Sequence, residues 1–233
     1  MFAYISGQLR RSLTHCVLCN AGGADACGTC TPCRQELPLL GHACRLCALP
    51  LTGGADTLCA RCQQQPPSNH RCHACWLYAY PIAQLIQRFK YRADLTAGRT
   101  LAEVAAQQLL PPVADDQRPD VLVPMPLHWR RQLVRGYNQA QLIADIWGRH
   151  WQLPVKARML RKTAFTGSQQ QLKRSERLKN LSRSFRASAD VKDLHIGLVD
   201  DVVTTGATVE AASATLLAAG ARLVSTYALA RTP

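Results

Sequence analysis

The sequence predicts an α/β protein, a parallel sheet with helices on both faces, preceded by a small module that depends on metal rather than on a core of its own. Three observations carry this prediction. Ten of the 11 cysteines fall into five Cys-x-x-Cys pairs, all before residue 76. Beyond them, short apolar runs alternate with stretches of helical periodicity, the pattern of strand–helix–strand units. One of those runs, His195 to Val203, passes through two acids into a Thr- and Gly-rich turn and then into a helix.

The cysteine pairs are Cys16/Cys19, Cys30/Cys33, Cys44/Cys47, Cys59/Cys62 and Cys72/Cys75. Ten residues separate the first pair from the second and eleven the third from the fourth. Paired thiolates at this spacing suit tetrahedral zinc. A segment so rich in Gly and Pro buries too little apolar surface to fold alone, so metal binding has to supply on the order of 10 kcal/mol per site. The spacing predicts two ribbons in tandem and about two zinc ions. Cys16, Cys19, Cys30 and Cys33 would hold one, and Cys44, Cys47, Cys59 and Cys62 the other. Sharing of one ion by the first and third pairs is the alternative. Cys27 also makes a legal pair with Cys30, but equal gaps favour Cys30/Cys33. Cys72 and Cys75, ahead of an expected strand at Trp76–Tyr80, read as ordinary thiols at a domain junction.

Gln63–Asn69 is a polar, Pro-containing linker. The domain division is therefore set at 1–68 for the metal module and 69–233 for the sheet. Helices are expected at Pro81–Tyr91, Leu101–Leu110 and Tyr137–Trp151, with Trp147 and Trp151 one turn apart in the core. Short strands are expected at Asp120–Val123 and Leu223–Ala228. No apolar run approaches the ~18 residues that span a bilayer. Nothing resembles an export signal, and disulfides would need an oxidising compartment. The expected location is cytoplasmic, with no membrane span.

The net charge is +13 and unevenly spread. Residues 128–186 hold 14 Lys or Arg against two acids, a density that attracts polyanions. Two or three cations suffice for a pyrophosphate, so the excess points to nucleic acid. Arg130, Arg131, Arg158, Arg161, Lys162, Lys173, Arg174, Arg177, Lys179, Arg183 and Arg186 could follow its phosphates, and Trp129 could stack on a base.

The run from His195 to Thr208 carries the most specific chemistry. Ile196, Leu198 and Val199 suit a buried parallel strand. Asp200 and Asp201 then present acceptors suited to sugar hydroxyls. Thr204, Thr205, Gly206, Ala207 and Thr208 open a helix, where backbone N–H groups and the macrodipole favour an anion. Glu210 in the first turn suits the same dipole, and Gly220 suits the helix end.

This run resembles the phosphoribosyl-pyrophosphate (PRPP) motif of type I phosphoribosyltransferases. The whole chain resembles the ComF/GntX family of competence and DNA-utilisation proteins. Five segments carry that resemblance: the cysteine module ending in Cys59-Ala-Arg-Cys-Gln-Gln-Gln-Pro-Pro67, then Leu85-Ile-Gln-Arg-Phe-Lys-Tyr91, Val123-Pro-Met-Pro-Leu127 running on to Arg135-Gly-Tyr-Asn-Gln139, Gln169-Gln-Gln-Leu172 through Phe185, and Val199-Asp-Asp-Val-Val-Thr-Thr-Gly206. The resemblance implies a type I phosphoribosyltransferase fold and the passage of single-stranded DNA into the cytosol, with a DNA-uptake or helicase protein as a further partner. It implies that Asp200 and Asp201 face ribose hydroxyls in any catalysis, that residues 204–208 hold the 5′-phosphate, and that Pro124 and Met125 belong to a pyrophosphate loop of the kind that often carries a strained peptide. Arg131 and Arg135, and less directly Lys90, are the candidate cations for pyrophosphate, with magnesium bridging it to the ribose. Phosphoribosyl transfer in nucleotide salvage and a zinc-ribbon scaffold are the other two functions weighed. No segment reads as a pocket for a base.

Overall fold

The structure is a computed structural model; it describes residues 15–52, 57–109, 118–163 and 184–233, and of residues 129–131 the backbone alone. Four parallel strands form the main sheet in the order β1-β6-β5-β2. They are β1 (Arg71–Leu77), β2 (Val121–Pro124), β5 (His195–Val203) and β6 (Leu223–Arg231). A separate antiparallel pair joins β3 (Leu160–Lys162) to β4 (Phe185–Ala187). The short strand β2 is buried throughout and the central strands β5 and β6 along nearly their whole length, as a sheet covered on both faces requires.

Two short helices lie in the cysteine module, α1 (Thr31–Gln35) and α2 (Ala60–Gln64). The longer ones are α3 (Ile82–Tyr91), α4 (Leu95–Gln108), α5 (Trp129–Arg135), α6 (Gln139–Trp151) and α7 (Ala207–Ala218). Helices α3, α4 and α6 cover one face, with Phe89, Leu101, Ile143, Trp147 and Tyr227 in one apolar cluster. Helix α7 and the β3–β4 pair cover the other, around Ile196, Leu198, Phe185 and Leu216. Trp147 and Trp151 stack in the first cluster at 4.9 Å, and both indole N–H groups donate to carbonyls of α4, so the core role expected of them holds.

Three element boundaries differ from expectation. Helix α4 starts at Leu95, well before Leu101, because Asp94 accepts from Ala97 N at 2.9 Å and pairs with Arg88; Asp94 is its N-cap. Strand β1 starts at Arg71, so Cys72 and Cys75 lie inside it. Strand β6 runs on to Arg231, which is buried and donates to the carbonyls of Cys47 and Val203.

The cysteine module closes the open edge of the sheet. Leu40 N donates to Cys75 O, Leu77 N to Pro38 O and Cys72 N to Arg45 O, all at 2.8–3.0 Å. These bonds satisfy edge groups of β1 that would otherwise be bare.

Candidate functional site

Four parallel strands deliver their carboxyl ends to one rim, where ligands of open α/β sheets bind. There β5 ends in Asp200, Asp201, Val202 and Val203, and the turn Thr204–Gly206 leads into α7. Gly206 sits at φ +77°, and a Cβ would meet nothing within 4 Å. The glycine is therefore required by the backbone conformation, not by crowding.

A cleft of about 380 Å³ opens at this rim, lined among others by Lys90, Arg135, Lys162, both aspartates, Thr204 and Thr208. Lys90 Nζ lies 2.8 Å from Asp201 Oδ1. Burial opposes the charge on Lys90, but Asp201 at that distance, helped by Asp200, outweighs it and raises the lysine pKa. Burial and then the neighbouring Asp201 push Asp200 up to about 7, against the pull of Lys90. Two acids and one strongly held lysine thus share one half-closed space, an arrangement more frequent at functional sites than elsewhere.

The residues expected to shape a pyrophosphate loop lie along the same rim. Met125 lines the cleft, its N donating to Val199 O at 2.7 Å and its O accepting from Asn138 Nδ2 at 3.1 Å. Pro124 lines an adjoining hollow instead. Among the described residues the cis peptide bond is Tyr80–Pro81, and none of residues 123–127 has positive φ. Arg135 lies over the Tyr91 ring at 5.3 Å and donates to Gln139 Oε1 at 3.2 Å. Gln139 is buried in the cleft wall, where its side chain also interacts with Tyr137. The Arg131 side chain lies outside the described residues.

Of the turn, Thr204 and Thr208 face the cleft, while Thr205 and Gly206 border a small cavity shared with the cysteine module. Arg61, between two cysteines of that module, donates to Thr205 O at 2.9 Å. Glu210 accepts from Ser68 N and Oγ at 2.7 and 2.6 Å. The helix-dipole reading of Glu210 missed this second role, which no local pattern encodes.

The eight predicted ligand cysteines gather in two groups, Cys16 with Cys19, Cys30 and Cys33, and Cys44 with Cys47, Cys59 and Cys62. Within each, the sulfurs lie within 4.8 Å of one another. Sequential pairing is therefore what the fold adopts, and cross-bracing is not. Four thiols at this separation fit one tetrahedral metal ion. Cys27, Cys72 and Cys75 join neither group. Cys72 is buried, with its thiol pushed up to about 12 by burial and by nearby Cys47; Cys75 is also raised by burial and donates to Gln108 Oε1 at 2.8 Å. Cys27 accepts from Gln107 Nε2.

A basic path leaves the cleft. It shares Pro126, Leu127, Asn138 and Lys162 with the adjoining hollow, which in turn shares Ala157 and Arg161 with a broad groove. Lys156, Arg158, Arg161 and Arg186 line that groove against one acid, Asp190. Of the other residues read as a phosphate track, Lys173, Arg174, Arg177, Lys179 and Arg183 lie outside the described residues, as do the side chains of Trp129 and Arg130.

Residues 138–233, from the start of α6 to the end of the chain, match the phosphoribosyl transferase domain family. With the parallel sheet, the acid pair and the turn, the match defines the class: a phosphoribosyltransferase-like α/β domain, here carrying a cysteine module at one edge. The chain is 32% identical over 208 residues to the DNA utilization protein YhgH of Salmonella typhi, covering 88% of this chain and 91% of the relative. It is 31% identical over 216 residues to competence protein F of Haemophilus influenzae, covering 88% and 90%, and 28% identical over 213 residues to competence protein ComFC of Bacillus subtilis, covering 87% and 83%. The chain belongs to this ComF/GntX family of DNA-utilisation and competence proteins.

Proposed function

We propose that the cleft binds a 5-phosphoribosyl group, as PRPP or as a nucleotide, and that the protein serves DNA uptake or utilisation in the cytoplasm by handling single-stranded DNA. The observation that carries this reading is the Asp200–Asp201 pair, held by Lys90 beside a turn whose glycine adopts positive φ at a helix N-terminus. The turn from Thr204 to Thr208 receives the 5′-phosphate, and the acids accept from the ribose hydroxyls. Arg135, Arg131 and Gln139, with Pro124 and Met125 shaping the loop, face the pyrophosphate, where magnesium supplies further charge neutralisation. Any turnover would rely on positioning and on neutralising the departing pyrophosphate.

The basic groove joined to the cleft supports a strand whose terminal nucleotide enters the cleft. Its cations are fit to neutralise phosphates, a contact that weakens as salt releases its counterion advantage. Zinc is the metal best suited to both all-thiolate groups, and magnesium would prefer oxygen ligands. An uptake or helicase protein remains a fitting partner on the strength of family membership.

A side-by-side titration with PRPP and a single-stranded oligonucleotide, with competition between them, tests the reading. Magnesium-dependent PRPP binding that disappears in the Asp200→Asn, Asp201→Asn double variant is the expected result. Binding of neither ligand would overturn it, and a salt-independent oligonucleotide affinity would remove the groove from it.

A further inference from the structure

We propose that Arg61 is a positioning residue for the phosphate turn, so that the Cys44/Cys47/Cys59/Cys62 centre and the cleft are energetically coupled; this rests on the phosphoribosyl reading of the cleft. The geometry of the turn carries the argument. Arg61 sits between Cys59 and Cys62 and pins the carbonyl of Thr205 at 2.9 Å. Arg231 donates from Nη1 to the carbonyl of Val203 at 3.3 Å and from Nε to the carbonyl of Cys47, itself in the same cysteine group, at 2.8 Å. Two carbonyls of the turn segment are thus drawn to guanidinium groups anchored in or on the metal module.

A trans peptide is planar, with its C=O and the following N–H pointing in opposite directions. Holding the carbonyls of Val203 and Thr205 toward the module therefore aims the N–H groups of Thr204 and Gly206 away from it. The charge on each guanidinium also polarises the peptide it holds and strengthens the N–H as a donor. The paired bonds from Ser68 to Glu210 fix the first turn of α7 to the same side. The metal module works here as a backing plate for the anion-holding backbone, and Arg61 is its contact with the turn.

Coupling of this kind is reciprocal. A ligand that needs the turn in this shape must also stabilise the centre behind it. The other cysteine group lies elsewhere, against α4, and serves as an internal control: Val17 and Leu18 beside it pack on the apolar cluster of α3, α4 and α6.

The test uses the full chain loaded with metal. PRPP with magnesium, and separately ribose 5-phosphate, is titrated into wild type, Arg61→Ala and Arg61→Lys, with metal content measured for each. Arg61→Ala is expected to bind roughly 5- to 10-fold more weakly with the metal content of wild type, and Arg61→Lys to recover part of the loss. In wild type, saturating ribose 5-phosphate is expected to slow chelator-driven release of one of the two ions and leave the other unchanged. Amide exchange at residues 204–206 should rise in Arg61→Ala without ligand. Should Arg61→Ala lose a metal ion, the release rates in wild type and the Lys variant decide. Equal affinity in wild type and Arg61→Ala, or release phases that ignore the ligand, would overturn the coupling alone. A wild type that binds neither sugar phosphate would overturn the phosphoribosyl reading and the coupling with it.

Discussion

The two cysteine groups have the same ligands at nearly the same spacing, yet they are attached to different parts of the molecule. The first sends Val17, Leu18, Cys27 and Leu37 into the cluster shared by α3, α4 and α6, the face opposite α7. Its Cys19 is exposed. The second surrounds itself with its own small cluster of leucines and is tied by Arg61, Arg231 and Cys47 to the turn at the end of β5. One sequence pattern therefore serves two purposes: the first group fastens the module to the body, and the second also braces the site. Spacing encodes the metal site, and the surrounding residues encode what the site supports.

The largest expected contrast comes from removing one ligand from each group. Cys62→Ser removes a buried thiolate from the second group, and Cys19→Ser an exposed one from the first. Metal content should fall from about two to about one per chain in both. A structural site worth on the order of 10 kcal/mol loses several when a ligand goes. Sugar-phosphate affinity should fall at least about 10-fold in Cys62→Ser and stay within about 3-fold in Cys19→Ser, read by calorimetry on the soluble fraction. Equal losses in the two variants would break the contrast.

The acid pair approaches the same turn from the strand side, away from the cysteine groups. Asp200 has a folded-state pKa of about 7, raised above its ordinary 3.8 by burial and by Asp201. A carboxyl raised on folding binds its proton more tightly in the native state, so the contribution of Asp200 to stability is greatest at acid pH and declines as pH rises from about 4 through 7. Asp200→Asn should be more stable than wild type at pH 8, by on the order of 2 kcal/mol, with the gap closing by pH 4. It should bind PRPP far more weakly with its metal content intact. Denaturant melts at both pH values, with metal analysis alongside, read this; a gap that widened on acidification would refute the sign.

Next in size is Gly28→Ala, which addresses the docking of the first group. Gly28 has φ +83°, and an added Cβ would lie 2.7 Å from Thr100 Oγ1 on α4. Left-handed backbone and contact with a buried threonine together cost roughly 1–3 kcal/mol. Thermal melts should show that loss while sugar-phosphate affinity is unchanged. A loss of affinity would mean that the first group also reaches the site.

How much of this was legible in the sequence depends on the range of the interaction. The order β5–turn–α7 follows from local pattern, since an apolar strand, a glycine and a helical period need no distant information. The eight clustered cysteines were legible because spacing of two residues within a pair is itself the signal. Lys90 was ranked as a minor candidate for pyrophosphate; its pairing with Asp201 depends on how α3 packs over β5, which periodicity cannot supply. Arg61 was read only as part of a cysteine motif, because its partner is 144 residues away. The start of β1 was placed too late, since an alternation broken by two cysteines and a histidine does not look like a strand until β6 pairs with it.

The smallest effect concerns the fifth pair, which has ligand spacing without ligand geometry. Cys72 and Cys75 lie in β1, and three positions apart on a strand two side chains leave opposite faces. Cys72 packs in the cluster under α7, and Cys75 in the one under α3 and α4. No single ion could take both. The pairs that gather into the two four-cysteine groups start instead from turns, at Cys16 and Cys44, or from helix N-caps, at Cys30 and Cys59. Cys75→Ala should therefore leave about two metal ions per chain. Its cost is that of a lost hydrogen bond to Gln108 and a small cavity, about 1–2 kcal/mol. A drop in metal content instead would make the fifth pair a ligand source and remove the distinction between strand-borne and turn-borne cysteines on which the two-centre assignment depends.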